Sequence, residues 1–339
     1  MRSAYIGVDV AIAKGKHLPV VVCVSEDNRI VPQRLRNLDL APPRGAGNLA
    51  VLDPAWCQEF AFEARRYILR VCERLQLIPR RIGIDAPSSP RAASARRRSA
   101  EIALDYAGIS CFATPSAGDF ELVREKVRQH LVSGGSEARC PHSNQLWMLA
   151  GFSIFQALAE VAECLEVFPQ ATIRIAGSGE IHKSQPGAVA RQLAAASTYT
   201  GWPNGSPGDP VLNEIGWGTM HDQLDAYLSS WVASLSEGQR TAFGHPPDDA
   251  IWIPKLQRPD LQGVPVFSVA PVRADRFMRN VEPTIPAASG VICPGCGQYR
   301  FRRWPWGWDG HAAYKCTGLV ASTPEGRKAE FRRKFAEHF

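Results

Sequence analysis

The sequence has no apolar run able to cross a bilayer. The longest stretch, Leu146 to Ala162, is interrupted by Gln156 and Glu160, which predicts a buried helix. No secretory signal opens the chain, because Met1 and Arg2 run straight into Ala4-Tyr5-Ile6-Gly7-Val8-Asp9, a strand pattern without a cleavage site. A disulfide framework is also missing. The nine cysteines are odd in number, and Cys23, Cys57, Cys72, Cys111, Cys140 and Cys164 are scattered through strand- and helix-like segments as small core residues would be. These absences predict a cytoplasmic protein with no membrane partner. Internal repeats are absent too.

Charge of one sign is scarce over most of the chain. The formal net charge is +6 over 339 residues. From Arg300 to Phe339 nine Lys and Arg stand against four Asp and Glu, an excess of five, so the first 299 residues lie near neutrality. A basic tail suits a polyanionic partner, although solubility alone also explains it. With 45% hydrophobic and 21% charged residues, the chain has ordinary globular composition.

What is present is an alternation of strands and helices. Tyr5–Val8, Leu18–Val24 and Arg81–Asp85 are predicted strands, and Trp56–Leu77 carries apolar residues at helical spacing. A helix is expected over Ala92–Tyr106 and a strand over Ile109–Ala113. Helices follow over Phe120–Leu131 and from Leu146, then a strand over Cys164–Pro169. Gly187–Ala196 and His221–Leu235 are expected helices and Ala250–Ile253 a strand, with Val264–Val269 a further short one. This order predicts an α/β fold with a mixed sheet flanked by helices.

Acids fall where such a fold uses them. Asp9 and Asp85 end short apolar strands, Glu166 lies in a third, and Asp222 and Asp225 share a helix face three residues apart. Two carboxylates about 4 Å apart repel by roughly 4 kcal/mol at an effective dielectric near 20. A converging cluster therefore takes up protons or a cation, and hard oxygen ligands favour Mg²⁺ or Mn²⁺. Taken one at a time, each acid is more often a turn, cap or helix-dipole residue than a ligand.

Five pieces occur in order: Gly-Val-Asp-Val at 7–10, Gly-Ile-Asp-Ala-Pro at 83–87, Glu-Val-Phe-Pro at 166–169, His-Asp-Gln-Leu-Asp-Ala-Tyr at 221–227 and Asp-Ala-Ile-Trp at 249–252. Together they resemble the domain-of-unknown-function 429 family, predicted nucleases with an RNase H-like fold, over roughly residues 3–255. More remotely, the set is similar to RuvC-type junction resolvases. The resemblance implies catalytic roles for Asp9, Asp85, Glu166, Asp222 and Asp225, with Asp9, Asp85 and Asp225 as ligands of Mg²⁺ or Mn²⁺. It implies an RNase H-like catalytic domain over 1–256. A proline-rich linker is expected over 257–288.

A second module is expected over 289–322, with a basic tail over 323–339. Cys293 and Cys296 form a knuckle, and His311 and Cys316 follow after fourteen and four intervening residues. This is the spacing of a closed, structural zinc site. Arg300, Arg302 and Arg303 stand there among tryptophans, suited to nucleic acid, although the tryptophans equally serve to cover a metal site. Arg96, Arg97 and Arg98 are the other expected phosphate contacts. His182 and His221 are weaker candidates as proton carriers, and Lys183 and Arg191 as phosphate contacts, with a solvated surface as the alternative for each.

The function expected is therefore a metal-dependent nuclease acting on DNA or RNA. The alternatives are a non-catalytic nucleic-acid or protein-binding module on the same fold and, last, a phosphotransferase. The last is disfavoured because the turn after Asp9, Val-Ala-Ile-Ala-Lys-Gly-Lys, is a weak version of a phosphate loop.

Overall fold

The structure is a computed structural model that describes residues 1–178 and 185–256, with short strand pieces at 291–292, 299–300, 303–304, 307–308 and 311–312. The chain divides into two compact units, Met1–Gln262 and Gly263–Phe339.

The first unit is built on a five-stranded mixed sheet. Its strands are β1 (Arg2–Asp9), β2 (Val20–Glu26), β3 (Arg29–Pro32), β4 (Leu77–Asp85) and β5 (Glu163–Glu166), in the order β3-β2-β1-β4-β5. β1, β2 and β3 are antiparallel neighbours, whereas β4 runs parallel to β1 and β5 parallel to β4. The β2–β3 hairpin turns on Asp27 and Asn28, both at positive φ (48° and 63°). Two such residues favour the turn whose twist matches the strands.

Strand alternation divides the side chains between two faces. Ala4, Ile6 and Val8 of β1 and Ile82 and Ile84 of β4 join the core beneath α1 (Pro54–Arg74), α3 (Ala117–Val132) and α4 (Ser143–Ala159). The apolar stretch from Leu146 forms most of α4, a buried helix as its composition predicts. Among the described residues, no helix is long and apolar enough to cross a membrane.

The opposite face receives α7 (Met220–Ser234), backed by α5 (Pro169–Ile175) and α6 (Ala188–Thr200). Val21, Cys23, Leu224, Tyr227, Leu228 and Trp231 make this second core. Two glycines set how closely the helix sits. A Cβ on Gly7 would lie 1.8 Å from the Ala226 carbonyl oxygen, and one on Gly83 would lie 2.2 Å from that of Ser229. These strands thus meet the α7 backbone directly, which no side chain at either position allows.

A separate hairpin, β6 (Arg240–His245) with β7 (Asp249–Pro254), packs beside α2 (Ser99–Tyr106). In the second unit β8 (Val291–Ile292) pairs with β9 (Tyr299–Arg300). There also, β10 (Arg303–Trp304), β11 (Gly307–Trp308) and β12 (His311–Ala312) form a small antiparallel meander.

Two sequence expectations need correction. Residues 92–98 are irregular, and the helix starts at Ser99 because the Asp249 carboxylate accepts from the Ser99 N–H at 2.7 Å and so caps it from another strand. Ile109–Ala113 is not a strand, since it has no ladder partner, and Ile109 packs instead among Ala100, Leu104 and Ala171. Strands β3 and β6 and helix α5 were not anticipated. The expected strand over Val264–Val269 lies outside the described residues.

Candidate functional site

The three mutually parallel strands each end on an acid: β1 on Asp9, β4 on Asp85 and β5 on Glu166. A cleft of about 440 Å³ opens at these ends and is lined by all three. Carboxyl ends of strands are where open α/β sheets bind ligands.

Register separates the acids. Asp9 lies opposite Asp85 in the β1–β4 ladder, two residues beyond the pair Gly7–Gly83. Since Gly7 and Gly83 face α7, so do Asp9 and Asp85. Glu166 pairs with Ile84 and therefore faces the other way, toward the α4 side of the sheet.

Asp225 is brought to the same level by the direction of α7. Arg81 on β4 donates to the Ala233 carbonyl at 2.8 Å, and Gly83 meets Ser229. Two strand residues, about 6.6 Å of rise, thus match four helix residues, about 6 Å. Two residues further on, Asp85 stands level with Asp225, which shares the helix face of Ser229. Asp9, Asp85 and Asp225 are all partly buried, and none of them lacks an interaction partner.

Asp222 lies one turn earlier and has a structural task. Its carboxylate accepts from the Thr219 N–H at 2.9 Å, and the Thr219 hydroxyl accepts from the Asp222 N–H at 3.4 Å. This reciprocal cap starts α7. Neither Asp222 nor Asp225 lines the cleft.

Glu166 is enclosed. Arg98 donates to both of its carboxylate oxygens at 2.7 Å, and the Ser88 N–H donates at 3.0 Å. Burial pushes the Glu166 carboxyl upward, and the guanidinium and the Ser88 amide oppose that push. Arg98 is itself buried. Burial would lower its pKa, but Glu166, Asp249 and Glu101 raise it further, so its charge is permanent. Its Nε donates to Asp249 at 3.0 Å.

Burial alone would raise the Asp249 carboxyl, but hydrogen bonds from Ser99 and the Arg98 charge hold it below the ordinary 3.8. A carboxylate with a lowered folded value stabilises the protein above its unfolded value, and that contribution is lost as pH falls through the folded one. Asp249→Asn should therefore cost about 1.5–3 kcal/mol near neutrality. The gap from the parent should narrow as pH drops below 3.8. Urea denaturation across that range checks this, and a gap independent of pH would contradict it.

The other arginines expected to contact phosphate are differently placed. Arg96 is exposed. Arg97 contacts Glu101, Asp105 and the Cys111 thiol. Arg191 donates to the Pro186 carbonyl at 3.3 Å, and His221 is the second residue of α7. His182, Lys183, Cys293, Cys296, Arg302 and Cys316 lie outside the described residues. Of Arg300, Arg303 and His311 only the backbone is described, in β9, β10 and β12.

Sequence reasoning passed over Glu101, Phe112, Trp147 and Phe168, all of which line the cleft. Glu101 is 2% exposed and accepts from the Thr114 N–H at 2.7 Å, tying α2 to the loop that follows. With the helix expected from Ala92, Glu101 fell in its middle and gave no signal. The aromatics come from three distant segments and gave none.

Among the described residues no group of three or more His, Cys, Asp and Glu is gathered as a metal cage. Mg²⁺ does not need one. It keeps several waters and is usually held by one or two carboxylates together with substrate phosphate. Two strand-end aspartates in register fit that requirement by the chemistry of their oxygens.

A family model described as "Protein of unknown function (DUF429)" matches residues 44–249, more than half of the chain. The match covers Asp85, Glu166, Asp222 and Asp225 and begins after Asp9. No curated protein and no solved structure matches.

Proposed function

Because the chain belongs to the DUF429 family, whose description names no activity, its chemistry rests on the site, and we propose a divalent-metal-dependent nuclease on an RNase H-like fold. A sheet of three antiparallel strands followed by two parallel ones, with helices on both faces, supports the fold reading. The observation that carries the chemistry is the register of Asp9 with Asp85 on the face covered by α7.

Asp9 and Asp85 would hold Mg²⁺ or Mn²⁺, with Asp225 contributing from the helix. Divalent ions bound there supply an activated water and stabilise the leaving oxygen of a phosphodiester. The chain's own part is orientation. Gly7 and Gly83 fix the distance of α7 from the sheet, and the Thr219–Asp222 cap fixes where the helix begins. Arg98 holds Glu166 on the other face, so Glu166 and Asp222 enter as supports of the cleft and the helix. The second unit, with Cys293, Cys296, His311 and Cys316 as zinc ligands and Arg300, Arg302 and Arg303 beside them, would grip the polyanion.

Incubating the full chain with single- and double-stranded DNA and RNA tests the proposal. Cleavage with Mg²⁺ or Mn²⁺, lost on chelation, is expected. Intact substrates in every form and with either metal would overturn it.

A further inference from the structure

The cleft lining is chemically mixed. Asp9 and Asp85 face α7, and an aromatic end is formed by Phe112, Trp147, Met148 and Phe168, of which Trp147 and Met148 come from α4 on the opposite face of the sheet. Phe112 is 59% exposed, a large aromatic left in solvent at a cleft wall. Trp147 offers its ring without a polar demand, since its Nε1 already donates to the Asn144 carbonyl at 3.0 Å.

The charges lining the cleft disfavour a bare anion beside its aromatic residues. Among the described lining residues Asp9, Asp85, Glu101 and Glu166 are acids and Arg98 is the cation, and Arg98 is engaged by Glu166 and Asp249. What suits this end is an uncharged planar group with a π face. The volume of about 440 Å³ fits a ligand of small-molecule size and is far too small for a duplex.

We infer that the aromatic end is a stacking pocket for one unstacked nucleobase, of a single strand or a frayed end, whose phosphate lies toward Asp9 and Asp85. This rests on the nuclease reading for the placement of the phosphate, but the pocket itself is a binding site with its own readout. Aromatic faces hold unstacked bases without needing a sequence, because every base has a π face. It assigns the enzyme to single-stranded substrates or strand ends.

Calorimetric titration of the full chain, in Mg²⁺, with adenosine 5′-monophosphate and with ribose 5-phosphate tests the pocket. The nucleotide should bind on the order of tenfold more tightly than the base-free sugar phosphate. Phe112→Ala should erase that advantage and leave ribose 5-phosphate unchanged, while Phe112→Trp should retain it. Phe112 is exposed enough that its truncation leaves the core intact, which circular dichroism checks. Equal binding of the two ligands, no nucleotide binding, or a nucleotide affinity indifferent to Phe112→Ala would each overturn the pocket. Base-dependent binding by a protein that cleaves nothing would leave the pocket standing and remove the nuclease. Cleavage without base-dependent binding would do the reverse.

Discussion

Replacing Asp9 or Asp85 by asparagine is expected to lower metal-dependent cleavage by on the order of 10²–10³-fold while leaving the fold intact. Loss of one preorganised group at a charge-stabilising site typically has that size. Both acids end their strands and are partly buried, and asparagine keeps their volume. The substitution removes the negative charge. Asp225→Asn should act in the same direction, because the match between β4 and α7 sets it level with Asp85. Glu166→Gln should act differently. It disturbs the pairing with Arg98 and should lower stability more than turnover at a temperature where the protein remains folded. Single-turnover cleavage alongside thermal denaturation separates the two kinds of residue, and Asp9→Asn with parental turnover would remove Asp9 from the chemistry.

Replacing Arg98 by alanine is expected to cost about 3–5 kcal/mol of stability, the range for breaking a buried ion pair by removing one partner. The guanidinium is 5% exposed and Glu166 6%, with two bonds of 2.7 Å between them. Alanine would leave Glu166 with the Ser88 amide alone, and Asp249 would lose its neighbouring cation. β5, β7 and the start of α2 all meet at this arginine, so the three should loosen together. Arg98→Ala/Glu166→Leu should recover much of the loss, because it leaves no unpaired buried charge. Urea denaturation of the parent, the single and the double variant checks this. A loss below about 1 kcal/mol for the single variant would place the pair among exposed salt bridges of little consequence.

The main elements around the sheet were legible because their periodicities are strong. β1, β2, β4 and β5 and helices α1, α3, α4, α6 and α7 lie where the apolar patterns put them, within a few residues. β3 was missed although Asp27-Asn28 marks its turn, since Arg29–Pro32 is too short for alternation to stand out. Ile109–Ala113 has strand-like composition but meets no partner strand, which local composition does not encode.

The candidate site was legible in part and for different reasons. Asp9 and Asp85 could be found because an acid directly after an apolar strand is a local pattern. Which face each acid takes depends on register, a non-local property, and a shift of one residue reverses it. That is why Glu166, also at a strand end, parts from the other two. The same limit hid Arg98. Three consecutive arginines read as a phosphate-binding run, yet the third turns inward to acids 68 and 151 residues away in the chain.

Manganese binding followed by electron paramagnetic resonance tests the shared carboxylate site most directly, since it needs no substrate and no assumption about the reaction. The full chain should bind Mn²⁺, Asp9→Asn and Asp85→Asn should each weaken that binding at least about tenfold, the scale of lost coordination support, and Asp222→Asn should leave it close to parental. Binding untouched by Asp9→Asn and Asp85→Asn together would contradict the account.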